Sequence, residues 1–172
     1  MGNYIRIDKE SMVNGPGLRV ILWVSGCNWY CEHCHNPESW DPNTGNKITE
    51  ETIKEIFIEL DKPYVQGLTL TGGDPFYKNS REAVLKVLKA CKEFYPDKDI
   101  WCWTGYNFED IKDEPAMKYI DVLVDGRFSM TQRIEDLKRK DYSELLKYRG
   151  SSNQRVIDVK KSLEENDIIL YD

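Results

Sequence analysis

The sequence predicts an α/β fold built on a mainly parallel sheet. Three observations predict it. Short apolar, partly β-branched runs alternate with stretches of helical period in the order strand, helix, strand, helix, strand, helix, strand, and that order argues parallel strands joined by crossovers. The runs lead into glycine turns at Gly26, Gly72-Gly73, Gly105 and Gly126. The 172 residues, 40% hydrophobic and 31% charged, suit one domain with a single core and not a disordered chain.

In chain order, residues 3–8 alternate polar and apolar like an edge strand. Asn14-Gly15-Pro16-Gly17 reads as a tight turn. Residues 20–25 are nearly all apolar, as in a strand buried on both faces, and they deliver the chain to Gly26 and Cys27. Pro37, Pro42 and Gly45 mark irregular chain. Thr49 suits a helix N-cap, with Glu50 and Glu51 in the first turn. Ile53, Ile56, Phe57 and Leu60 then form one buried face, and Pro63 ends the helix. Residues 67–71 form a strand running into Gly72-Gly73-Asp74-Pro75. A helix follows over about 78–95, with Val84, Leu85, Val87, Leu88, Cys91 and Phe94 as its apolar face. Residues 100–103 and 122–124 are further strands, with a helix over 108–119 between them whose weak point is Pro115. A polar surface helix is expected over 129–147. Residues 149–155 form a loop dense in hydrogen-bonding groups, 156–159 a strand flanking the sheet, and Ile168-Ile169-Leu170 closes the chain. No internal repeat or linker divides the domain.

Cys27, Cys31 and Cys34 crowd into eight residues, a spacing that lets one short loop wrap a compact metal centre. Thiolates are soft ligands suited to iron–sulfur clusters or zinc. An electron-transfer four-iron cluster takes four cysteines; three leave one iron open to a small molecule. The spacing therefore points to a 4Fe-4S cluster with a free iron site. It leaves open structural zinc with His33 or His35 as fourth ligand. A disulfide would strand an odd thiol in the loop. Cys91 lies on a helical apolar stripe and Cys102 inside a strand, so both are expected in the core.

In a parallel sheet the turns Thr71-Gly72-Gly73-Asp74, Thr104-Gly105-Tyr106 and Asp125-Gly126-Arg127 share the edge that carries the cysteines, where open α/β sheets bind ligands. The net charge is −6 with no basic run, which disfavours nucleic acid. No apolar run is long enough to span a bilayer, and residues 1–10 lack the apolar core of a signal peptide. A cytoplasmic protein with reduced cysteines is expected.

These residues resemble the radical S-adenosylmethionine enzymes, in which a C-x3-C-x2-C loop holds a 4Fe-4S cluster whose free iron chelates S-adenosylmethionine. With Cys34-His35-Asn36 and Trp40, the loop is similar to that of the glycyl-radical-enzyme activating family. Six blocks in order narrow the resemblance to the anaerobic ribonucleoside-triphosphate reductase activases: Asn14-Gly15-Pro16-Gly17, Val24-Ser25-Gly26-Cys27, Gly72-Gly73-Asp74-Pro75, Trp103-Thr104-Gly105-Tyr106, Val124-Asp125-Gly126 and Arg149-Gly150-Ser151-Ser152-Asn153-Gln154. The resemblance implies a shortened partial (β/α) barrel, open on one side. It implies Cys27, Cys31 and Cys34 as cluster ligands, and Gly72, Gly73 and Asp74 at the methionine end of S-adenosylmethionine. His33 stands where many members carry an aromatic residue near the adenine, and Asp74 where many carry glutamate. Thr104 and Asp125 are further ligand-contact candidates, placed by strand order. The implied activity is reductive cleavage of S-adenosylmethionine and formation of a glycyl radical on the large reductase subunit, with an electron donor such as flavodoxin. A pyruvate formate-lyase activase is the alternative within the family, and a non-catalytic zinc module the alternative outside it.

Overall fold

The computed structural model describes residues 2–134 and 148–172. Seven strands form one open sheet: β1 (Asn3–Ser11), β2 (Leu18–Val24), β3 (Asn46–Lys47), β4 (Val65–Gly72), β5 (Asp99–Trp103), β6 (Val122–Asp125) and β7 (Arg155–Asp158), in the spatial order β3-β1-β2-β4-β5-β6-β7. The four central strands, β2, β4, β5 and β6, run parallel. Antiparallel partners flank them, β1 and β3 on one side and β7 on the other. Four helices are described: α1 (Glu50–Leu60), α2 (Arg81–Phe94), α3 (Phe108–Ile111) and α4 (Val159–Glu165). The mixed α/β architecture with a parallel centre is as expected.

Strand register explains the two-sided burial. Leu22, Leu70, Cys102, Leu123 and Ile157 lie side by side across β2, β4, β5, β6 and β7. That row belongs to the main core, which it shares with Ile53, Ile56 and Leu60 of α1 and Val84, Val87, Leu88 and Cys91 of α2. Phe108 and Ile111 of α3 and Val159 of α4 pack into the same core, so all four helices cover one face. The neighbouring row, Ile21, Thr69, Trp101 and Val122, must face the other way because side chains alternate along a strand. There Trp101, Val122 and Val124 form a second cluster with Trp103, Tyr148 and Val156.

Arg19 is fully buried, and the turn before β2 is shaped around it. Its Nε donates to Thr69 Oγ1 at 2.8 Å, Nη2 to Leu68 O at 2.9 Å, and the guanidinium pairs with Asp99 at 2.6 Å. Gly15, at φ 115°, lies against the Arg19 stem, where a Cβ would come within 3.0 Å. The Asn14 carbonyl accepts the Thr69 hydroxyl at 2.7 Å and the Pro16 carbonyl accepts Arg19 Nη1 at 3.2 Å. The Asn14–Gly17 block is thus a cap on a buried cation.

Several elements differ from expectation. β1 is not the sheet edge, because the two-residue β3 pairs with Asn3 and Tyr4. A pair this short carries no periodicity to detect. The helix expected over 108–119 stops at Ile111, and a 3-10 turn at Met117–Tyr119 follows. Pro115 lacks an N–H and disfavours helical geometry at the residue before it. α2 starts at Arg81, after turns closed by Tyr77 N–H on Asp74 O and Ser80 N–H on Tyr77 O. Phe94 is 65% exposed and packs only at the rim, on Phe57. α4 follows β7 directly, with Asp158 as N-cap accepting from Lys161 N–H at 3.0 Å. The helix expected over 129–147 falls largely outside the described residues; at its start stands a 3-10 turn, Met130–Gln132. Among the described residues no helix is long and apolar enough to cross a membrane.

Candidate metal centre and ligand cavity

Parallel β2, β4, β5 and β6 end at one edge, and a cavity of about 650 Å³ opens there. Cys27, Cys31 and Cys34 line it, each partly exposed. So do His33, Gly72, Gly73, Asp74 and Thr104. Asp125 does not line it.

The cysteine loop has left-handed residues at Tyr30 (φ 45°) and His33 (φ 56°), which fold it back on itself. Four anchors hold it. Gly26 N–H donates to Ser39 O at 2.7 Å and Cys27 N–H to Trp40 O at 3.2 Å. The Tyr30 ring meets Trp40 edge-on at 5.1 Å. Trp29 turns under the loop, donates Nε1–H to Asp74 Oδ2 at 2.6 Å, and meets the Tyr106 ring at 4.9 Å.

Asp74 joins the strand ends to this loop. Beyond Trp29 it accepts the Thr104 hydroxyl at 2.8 Å, Gly105 N–H at 3.0 Å and Phe76 N–H at 2.9 Å. Burial pushes its carboxyl up, while the Gly105 and Phe76 amides, Thr104 and Trp29 pull it back. Thr104 accepts Tyr106 N–H in turn, at 3.2 Å. Two expected ligand-contact side chains are therefore bonded to each other in the cavity wall.

Gly73 lines the cavity, and a Cβ there would meet the Gly26 carbonyl at 2.5 Å and the Ser39 carbonyl at 3.0 Å. Its own N–H donates to Val24 O at 2.8 Å. Gly72, at φ 109°, is equally tight against the Val24 backbone. The glycine pair lets the β4 end pack directly on the entrance to the cysteine loop. The Asp125 carboxylate is fully buried, pairs with Arg155 and accepts Phe108 N–H at 2.8 Å, fixing the start of α3. The His33 side chain is 66% exposed, beside Glu32.

Three thiols on one cavity wall fit a cluster. Among the described residues no three His, Cys, Asp or Glu side chains converge closely enough for a single ion. Burial, with Asp74 and the other two cysteines adding, pushes the Cys27 thiol up to about 11, so metal loading must release its proton.

Sequence reasoning missed Trp29 as the loop anchor, since nothing in cysteine spacing singles out the residue between. It also missed why 149–155 is so polar. Gln154 donates to Gly126 O at 2.9 Å and accepts Gly150 N–H at 2.9 Å, and Arg149 Nη1 donates to Gln154 O at 2.8 Å. This loop closes the β6 end of the cavity.

The model of a 4Fe-4S single cluster domain matches residues 13–157, which takes in every residue lining the cavity. The chain is 45% identical over 154 residues to the anaerobic ribonucleoside-triphosphate reductase-activating protein of Enterobacteria phage T4, covering 90% of this chain and 92% of the relative. It is 37% identical over 158 residues to the protein of that name from Escherichia coli strain K12, covering 90% and 97%. The chain belongs to the anaerobic ribonucleoside-triphosphate reductase-activating protein family. The cysteine loop, the glycine turns and the Arg149–Gln154 loop all fall within residues 13–157, which the family model matches. The 4Fe-4S family model supports an iron–sulfur cluster over zinc.

Proposed function

We propose that this protein activates an anaerobic ribonucleoside-triphosphate reductase by radical S-adenosylmethionine chemistry. The observation that carries the reading is the convergence of three loop cysteines and three glycine-bearing strand ends on one cavity. The names of the relatives support the reductase as partner. A bound cluster would supply one electron, from a donor such as flavodoxin, for the reductive cleavage of S-adenosylmethionine, whose products would be methionine, 5′-deoxyadenosine and a glycyl radical on the reductase. Cys27, Cys31 and Cys34 would hold the cluster. The strand ends at Gly72-Gly73 and Thr104-Gly105 would seat the ligand. The cofactor carries the hard chemistry; the chain contributes binding and position.

Anaerobic protein given reductant, S-adenosylmethionine and the reductase should yield 5′-deoxyadenosine and a glycyl radical doublet on the reductase. Cys27→Ala, Cys31→Ala and Cys34→Ala should each abolish the cluster, while Cys91→Ala and Cys102→Ala keep it, because both sit in the core at 2% and 0% exposure. Stoichiometric zinc without iron in the anaerobic preparation sinks the cluster. If 5′-deoxyadenosine forms while the reductase gains no radical, the partner is wrong and the chemistry stands.

A further inference from the structure

Asp74 is 1% exposed, yet no Lys, Arg or His among the described residues forms an ion pair with it. Of its four hydrogen-bond partners, the two backbone amides and the Trp29 indole can only donate. Burial raises this carboxyl, and the three partners that can only donate favour its ionised form against that. A buried anion without a cation is costly unless something in its surroundings supplies the missing charge. Asp74 is also the only acidic residue among the described residues that line the cavity.

We infer that Asp74 is a fixed negative charge in the cavity wall that selects the cationic sulfonium form of S-adenosylmethionine over neutral thioether analogues. The inference rests on the ligand proposed above and deepens it. S-adenosylmethionine carries an ammonium, a carboxylate and a sulfonium, net +1; its demethylated thioether, S-adenosylhomocysteine, is net neutral. The two share nearly all their hydrogen-bonding groups, so contacts from backbone and glycine turns separate them poorly. A charge buried beside the cavity does separate them, because it acts through a medium that screens it far less than water does. The four donors, drawn from the turns after β4 and β5 and from the cysteine loop, hold that charge in place without neutralising it. Asp74 touches neither the cysteines nor open solvent by any hydrogen bond among the described residues, and so acts on the ligand by its field.

The test is equilibrium binding to the cluster-replete protein, without reductant, of three ligands: S-adenosylmethionine, S-adenosylhomocysteine, and the analogue carrying an ammonium in place of the sulfonium. The wild type should prefer both cations to the thioether by about tenfold, the size of a unit-charge interaction across some ten ångströms at an effective dielectric of about 20. Asp74→Asn should bring the three affinities together, while Thr104→Val, which removes a donor and keeps the charge, should preserve the preference. Equal affinities in the wild type overturn the inference, and so does an unchanged preference in Asp74→Asn. If Asp74→Asn does not retain its cluster, Asp74→Ser, which also removes the charge and keeps a hydroxyl for the surrounding donors, takes its place, because the cluster thiolates and Arg149 also charge this cavity. A wild type that binds thioether and cations equally well leaves the function standing and this inference overturned. A wild type that binds none of the three overturns both.

Discussion

Arg155 is the residue on which the β6 end of the sheet depends. Its guanidinium pairs with buried Asp125 and with Glu109, and Asp125 in turn receives the first N–H of α3. Arg155→Met leaves the Asp125 charge buried and unpaired. The expected cost is about 3 kcal/mol, the low end for breaking a buried pair because Arg155 keeps some solvent contact, read as a shift in the denaturation midpoint. Adding Asp125→Asn should recover part of it. The outer half of this network carries a pH signature. The hydrogen bond from Arg155 holds the Glu109 carboxyl down to about 2, below its unfolded value of about 4.3. A depressed carboxyl stabilises the fold above its unfolded value, and that contribution is lost as pH falls through the folded one. Glu109→Gln should therefore be slightly less stable than wild type at neutral pH, and the gap should close between about pH 4 and pH 2. Since Glu109 is 56% exposed, the gap should stay under about 1 kcal/mol in denaturant titrations.

At the scale of elements, the cysteine loop is rigid only through its anchors. A Cβ on Gly105 would meet the Trp29 indole at 2.5 Å, while the strand before it would be untouched. Gly105→Ala should push Trp29 off Asp74 and speed loss of iron to a chelator several-fold, with little change in the far-UV spectrum; unchanged release would show that Trp29 does not govern the loop. The strands were legible in the sequence because they are apolar on both faces, as β2 is with Val20, Ile21 and Leu22 all fully buried. α1 was legible from its spacing and its Thr49 cap. The cysteine loop and its cavity followed from strand order alone, because parallel strands must end at one edge. What the sequence hid is contact at a distance. Asp125 and Asp74 stand at equivalent strand ends, and only the fold shows that one answers to Arg155 and the other to Trp29. Gly73 shows the same limit: its need for small size was readable, but not that the neighbour is the Gly26 carbonyl.

For the whole molecule, the decisive feature is its sidedness. All four described helices pack on one face of the sheet, and the cavity lies at an edge where the three cysteines remain partly exposed. An enclosed chamber would let a reactive species meet only its intended target. Here, on the function proposed above, the tightness of coupling becomes a property of the pair of proteins. Reduced activase alone should consume S-adenosylmethionine wastefully, the radical being quenched by whatever reaches it. The yield of 5′-deoxyadenosine per glycyl radical should stand well above one at low reductase and fall toward one as the reductase saturates. A ratio that stays high at saturation would mean the partner does not close the site. Sidedness thus turns fidelity into a matter of concentration, so that the economy of the reaction is set by how much reductase the cell keeps beside its activase.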